Sequence, residues 1–118
     1  MSAGQKPQLQ PGRRQAVAAV RARRLRGAIL QLLHEQSPER LDADVLLGVL
    51  ERLHYDVTAR ALAAELDYLR QRGYIDFAAL PSEELPRLPR IIWIRITARG
   101  ADLVEGTITD PGIDLNEP

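Results

Sequence analysis

"VTARALAAELDYLRQRGYIDF", residues 57–77, holds a helix, a stop and the start of a strand. Thr58 is an N-cap residue type, able to accept from a first-turn N–H. Val57 before it and Leu62 after it take the two positions of a hydrophobic staple. Leu62, Leu66 and Leu69 recur at helical spacing and form one buried stripe, with Ala61 and Tyr68 on its edges. Gly73 fits the left-handed C′ position that closes a helix. "YIDF" after it favours a strand. The outward positions are then Ala59, Arg60, Ala63, Ala64, Asp67, Arg70 and Gln71. Helices of this kind often enter the DNA major groove, yet this one offers mostly alanine and acid there.

Two further helices precede it. Leu25, Ala28, Ile29, Leu32 and Leu33 mark the buried face of the first, which the pattern starts near residue 14. Carried backwards, that stripe lands on Arg21 and Arg24, so the first turns project from the core. Val17 and Val20 form a separate small patch there. Ser37-Pro38 ends the helix, because proline disfavours a helical residue before it. Asp42 is placed to cap a second helix with an apolar face of Val45, Leu46, Val49, Leu50 and Leu53, and "HYD" (54–56) is the turn after it.

Downstream, "AALPSEELPRLPR" (78–90) carries three prolines and reads as a loop. "IIWIRIT" (91–97) is the strongest strand signal in the chain, with Trp93 as a core or hairpin anchor. Thr97 caps a short last helix that turns Leu103 and Val104 inward. "TITDPGIDLNEP" is an acidic tail without periodicity.

The charges are unevenly placed. Residues 1–26 carry Lys6, Arg13, Arg14, Arg21, Arg23, Arg24 and Arg26 and no acid, a balance of +7. The other 92 residues hold nine arginines against sixteen acids, or −7, so the chain as a whole is neutral. A basic arm on an acidic body implies two surfaces with different partners: phosphate, an acidic protein, or a second copy of the same body. The chain has no cysteine, which excludes disulfides, cysteine-bound zinc and thiol nucleophiles. Its first residues lack the apolar core of a secretory signal, and no run is long enough to span a bilayer. A cytoplasmic location is the expectation.

Three helices followed by a β-hairpin form a winged helix-turn-helix. "LDYLRQRGYI" (66–75) followed by "IRITARGADLVEG" (94–106) resembles the pattern that closes many winged-helix domains, and the resemblance covers about residues 21–108. "ITARGADLVEGTITDPGI" (96–113) is similar to the ending of small winged-helix proteins encoded by Mu-like bacteriophages and prophages. The resemblance implies a mainly α fold with a small β-hairpin (α+β): three helices, a two-stranded wing and a short C-terminal helix. It also implies a DNA-binding module, often used in transcription control, with the helix from Thr58 to Arg72 in the major groove and residues 80–89 as the wing. The expected organisation is a disordered basic arm over 1–13, a winged-helix domain with its helix extension over 14–106, and the acidic tail over 107–118.

The residues divide on this. Candidate nucleic-acid contacts are Arg13, Arg14, Arg21, Arg23, Arg24 and Arg26 in the arm, with Thr58, Arg60 and Arg70 in the third helix. Arginines in the arm neutralise phosphates with little sequence choice. Near the start of the third helix only Arg60 is a base-reading type. Asp67 would repel phosphate, and Glu83 and Glu84 would do so near the wing tip, with Arg87 and Arg90 as partial offsets. Those acids suit an alternative: a protein-interaction or assembly module on the same fold, including a homodimer through the helix extension. Each surface also has a plain reading as a solvated charged face. His34 and His54 share no metal-ligand spacing and fit helix ends, and no glycine-rich phosphate loop occurs. The expectation is no enzyme activity, no cofactor, no metal, no small-molecule substrate and no membrane.

Overall fold

Helix α1 (Lys6–Gln36) ends where Ser37 meets Pro38, and the chain then alternates short elements against it. The computed structural model describes residues 6–80 and 90–115. Strand β1 (Leu41–Asp42) leads directly into α2 (Ala43–Arg52), and α3 (Ala59–Gln71) follows. Strands β2 (Ile75–Leu80) and β3 (Arg90–Ile96) then pair, and α4 (Ala98–Val104) closes the set. The architecture is α+β: four helices and a three-stranded antiparallel sheet in the order β1-β3-β2.

The third helix forms as its local signals require. The Thr58 hydroxyl accepts from the Ala61 N–H at 3.0 Å. Leu62, Leu66 and Leu69 are buried, and Val57 packs on the same core. Gly73 adopts φ +80°, and the Tyr74 N–H reaches back to the Leu69 carbonyl at 3.0 Å. That closure turns the chain from α3 into β2 in three residues. Ile75 of β2 lies opposite Ile96 of β3, and Phe77 opposite Ile94, so the two strands present one apolar face to the helices.

Several elements differ from the sequence expectation. Helix α1 begins at Lys6 rather than near residue 14. The sheet has a third strand, because Leu41 and Asp42 pair with Ile94 and Trp93. Asp42 stands at the N-cap of α2 but makes no side-chain capping bond; its extended backbone belongs to β1. On α2 the buried residues are Leu46 and Leu50, whereas Val45 and Leu53 are 48% and 51% exposed. This ten-residue helix packs on β1 and β3 and buries a narrower face than the sequence stripe allowed for. Leu30 is fully buried outside the predicted stripe, because α1 packs against α3 on one side and against α4 and β3 on others. His54 takes the left-handed C′ position of α2, with φ +67°.

Residues 107–115 return to the body instead of trailing from it. Ile113 is buried in the core, and the Asp114 N–H donates to the Arg23 carbonyl at 3.0 Å. Gly27 makes the approach feasible, since a Cβ there would overlap the Asp114 carbonyl. Asp110 ties the segment down: its carboxylate accepts from the Tyr74 hydroxyl at 2.7 Å and from the Arg72 guanidinium at 3.2 Å, while its other oxygen accepts from the Gly112 N–H at 2.8 Å. Burial acts to raise the Asp110 carboxyl, but these three donors outweigh it and hold the group below its ordinary value. A carboxyl lowered in this way stabilises the fold above its unfolded value and loses that contribution as pH falls through the folded one. Thermal unfolding followed from pH 6 down to about pH 2 is therefore expected to show a steeper loss below the carboxylate range in the native chain than in Asp110→Asn. Parallel curves for the two proteins would rule the contribution out.

Candidate nucleic-acid interface

Residues 12–21 of α1 are all exposed, so this stretch of the helix stands clear of the core. On a helix turning 100° per residue, Arg13, Arg14, Arg21 and Arg24 fall within about 100° of one another. They form a basic stripe about 16 Å long, with Val17 inside it. The stripe continues the azimuth of the buried face, as the sequence pattern required, and therefore looks along the body toward the start of α3. Between them lies an open cleft of about 890 Å³. Its other wall is the 53–57 connection together with Ala61 and Glu65 of α3.

The charge in this cleft is less balanced than the composition suggests. Glu65 is already paired, with the Arg26 Nε donating to it at 2.7 Å, and both side chains are mostly buried. Among the described residues Asp56 is the remaining acid on the lining, against four arginines. Its lining also includes exposed apolar side chains, with Val17 and Leu53 each 51% exposed.

The candidate contacts therefore separate. Arg13, Arg14, Arg21 and Arg24 share one exposed stripe. Arg23 projects from the opposite side of α1. Arg26 is turned into the fold: it donates to Glu65 and to the Gly112 carbonyl at 3.0 Å, and its guanidinium lies 3.6 Å from the Tyr68 ring centroid. Thr58 is occupied by its capping bond. Arg60 is exposed in the first turn of α3, and no bond to it occurs among the described residues. Arg70 donates to Asp67 at 3.2 Å and stacks over Phe77 at 4.5 Å. Gln71 donates to the same Asp67 at 2.7 Å. The expected wing tip, with Glu83, Glu84 and Arg87, lies outside the described residues.

Sequence reasoning missed the Arg26–Glu65 pair and the role of Asp110. Neither carries a local signal, since their partners lie 39 and 36 residues away. Trp93 is half-buried, with the guanidiniums of Arg40 and Arg95 at 4.8 and 5.6 Å from its ring. His34 meets Glu105 at 2.9 Å across the α1–α4 contact. No cluster of three metal-ligating side chains occurs among the described residues. No helix among them is long and apolar enough to cross a membrane. Comparison with protein-family models, with curated proteins and with solved structures finds no match.

Proposed function

We propose that the chain is a winged-helix protein that binds duplex DNA in a regulatory role, with α1 supplying most of the attraction to phosphate. The observation that carries this reading is the stripe of Arg13, Arg14, Arg21 and Arg24, exposed and aimed past the start of α3. Three helices ahead of a paired β2 and β3 support the fold assignment. In that layout α3 approaches the major groove with Arg60 as its leading cation, and Ala59, Ala63 and Ala64 allow close approach. Such a surface binds by charge and discriminates weakly among sequences. The resemblance to winged-helix domains supports a role in transcription control.

The test is binding of the full chain to mixed-sequence duplex DNA across a salt series. The expected result is an affinity that falls linearly on logarithmic axes, by about 0.9 per phosphate neutralised. Absence of binding even at low salt overturns the proposal. A second reading has one observation in its favour, the exposed apolar side chains of Val17 and Leu53 on the cleft lining, which DNA would leave uncovered. In that reading the cleft takes an acidic, partly apolar protein segment.

A further inference from the structure

Helix α3 carries three side chains able to contact nucleic acid beyond its alanines: Arg60, Arg70 and Gln71. Two of them are held by a third group on the same helix. Asp67 accepts from the Arg70 guanidinium through one oxygen, at 3.2 Å, and from the Gln71 amide through the other, at 2.7 Å. Spacings of three and four residues put all three on one helical face. The arrangement consumes both carboxylate oxygens and two of the helix's longer donors. It also leaves a carboxylate on the face that the proposed function turns toward phosphate. Arg70 is held a second time by Phe77, whose ring lies under the guanidinium at 4.5 Å. By contrast, Arg60 one helical stretch earlier has no such partner among the described residues.

We propose that Asp67 is a brake on α3, the residue that sets how weakly this helix engages DNA. This rests on the DNA-binding reading and deepens it. With Asp67 present, Arg70 and Gln71 satisfy a neighbour and the helix offers Arg60 alone. Attraction then comes from α1, and sequence choice at α3 is small. With Asp67 removed, the Gln71 amide is released, Arg70 keeps only its contact with the Phe77 ring, and a negative charge leaves the interface. Asp67 itself touches no base or phosphate in this account; it is a positioning residue.

The experiment measures duplex binding by the native full chain, Asp67→Ala, Asp67→Glu, Arg70→Gln and the double variant Asp67→Ala/Arg70→Gln, each across a salt series. Alanine is a strong helix former, so α3 is retained, and circular dichroism checks this. Each phosphate contact contributes about 0.9 to the salt slope, which amounts to roughly eightfold in affinity between 1 M and 0.1 M salt. Asp67→Ala is therefore expected to bind roughly eightfold tighter at ~0.1 M, with a slope steeper by about one. Asp67→Glu keeps the two bonds and stays near the native affinity. In the double variant the gain from Asp67→Ala largely disappears. Native binding with no gain in Asp67→Ala overturns this inference and leaves the DNA reading standing. A gain that survives loss of Arg70 also overturns it, since the effect is then bulk charge and not release of a held side chain. Failure of both the native chain and Asp67→Ala to bind overturns the DNA reading and this inference together.

Discussion

Replacing Arg13, Arg14, Arg21 and Arg24 together by glutamine is expected to weaken duplex DNA binding roughly a thousandfold at ~0.1 M salt, with the fold intact. Each phosphate contact is worth about eightfold between 1 M, where counterion release contributes little, and 0.1 M. Four such contacts multiply to a few thousandfold, and about a thousandfold allows for imperfect contact. The salt slope should flatten by about three to four. All four side chains are exposed on α1, and all four line the open cleft, so glutamine leaves the packing alone. Arg26 is the control. Its replacement by glutamine leaves Glu65 mostly buried without its partner and should lower stability more than DNA affinity. A quadruple variant that binds as well as the native chain would exclude α1 as the phosphate contact.

A large effect on stability is expected from Gly100→Ala, a loss on the order of 3 kcal/mol. A Cβ at residue 100 would sit 2.2 Å from the Tyr74 carbonyl oxygen and 2.7 Å from Cγ1 of Ile96. The carbonyl cannot step aside. It accepts from the Thr97 N–H at 3.0 Å, and it belongs to the turn that Gly73 closes. Thr97 is fixed from both sides, its hydroxyl donating to the Gly73 carbonyl at 2.6 Å and accepting from the Gly100 N–H. One methyl group therefore pries the start of α4 away from the end of α3. Thermal unfolding should show a midpoint about 10 °C lower. Gly106→Ala gives the contrast. Gly106 also has positive φ, +84°, but open space around it. Alanine there should cost only the strain of the left-handed backbone, about 1 kcal/mol. Equal effects at the two positions would mean that the α4 contact is not as tight as the structure has it.

Several short signals were legible in the chain. Thr58 and Thr97 cap their helices as read, and Gly73 closes α3 in the left-handed conformation. The buried leucines of α3 and most of the α1 stripe lie where helical spacing put them. Strand β1 was not legible, because two residues carry no period and pair only when β3 is alongside. The return of residues 107–115 was not legible either. Its anchors, Asp110 on Tyr74 and Ile113 in the core, depend on residues far away in the sequence. Val45 and Leu53 sat on a correct helical period and still face outward, since a period says which residues share a face but not how wide the partner is.

By itself the sequence determined where α3 and α4 begin and where α3 stops, which residues share an apolar face, and that the basic charge is gathered near the start of the chain. Those properties are set by neighbours within about four residues, through caps, glycine stops and helical spacing. Only the tertiary structure decided which of the charges remain available. Arg26 has the same residue type and helix as Arg21 and Arg24, yet it is occupied by Glu65, 39 residues on, and by Gly112, 86 residues on. An arginine reads alike in sequence whether it is free or paired. Its charge reaches a partner only if the fold has not already brought an acid to it.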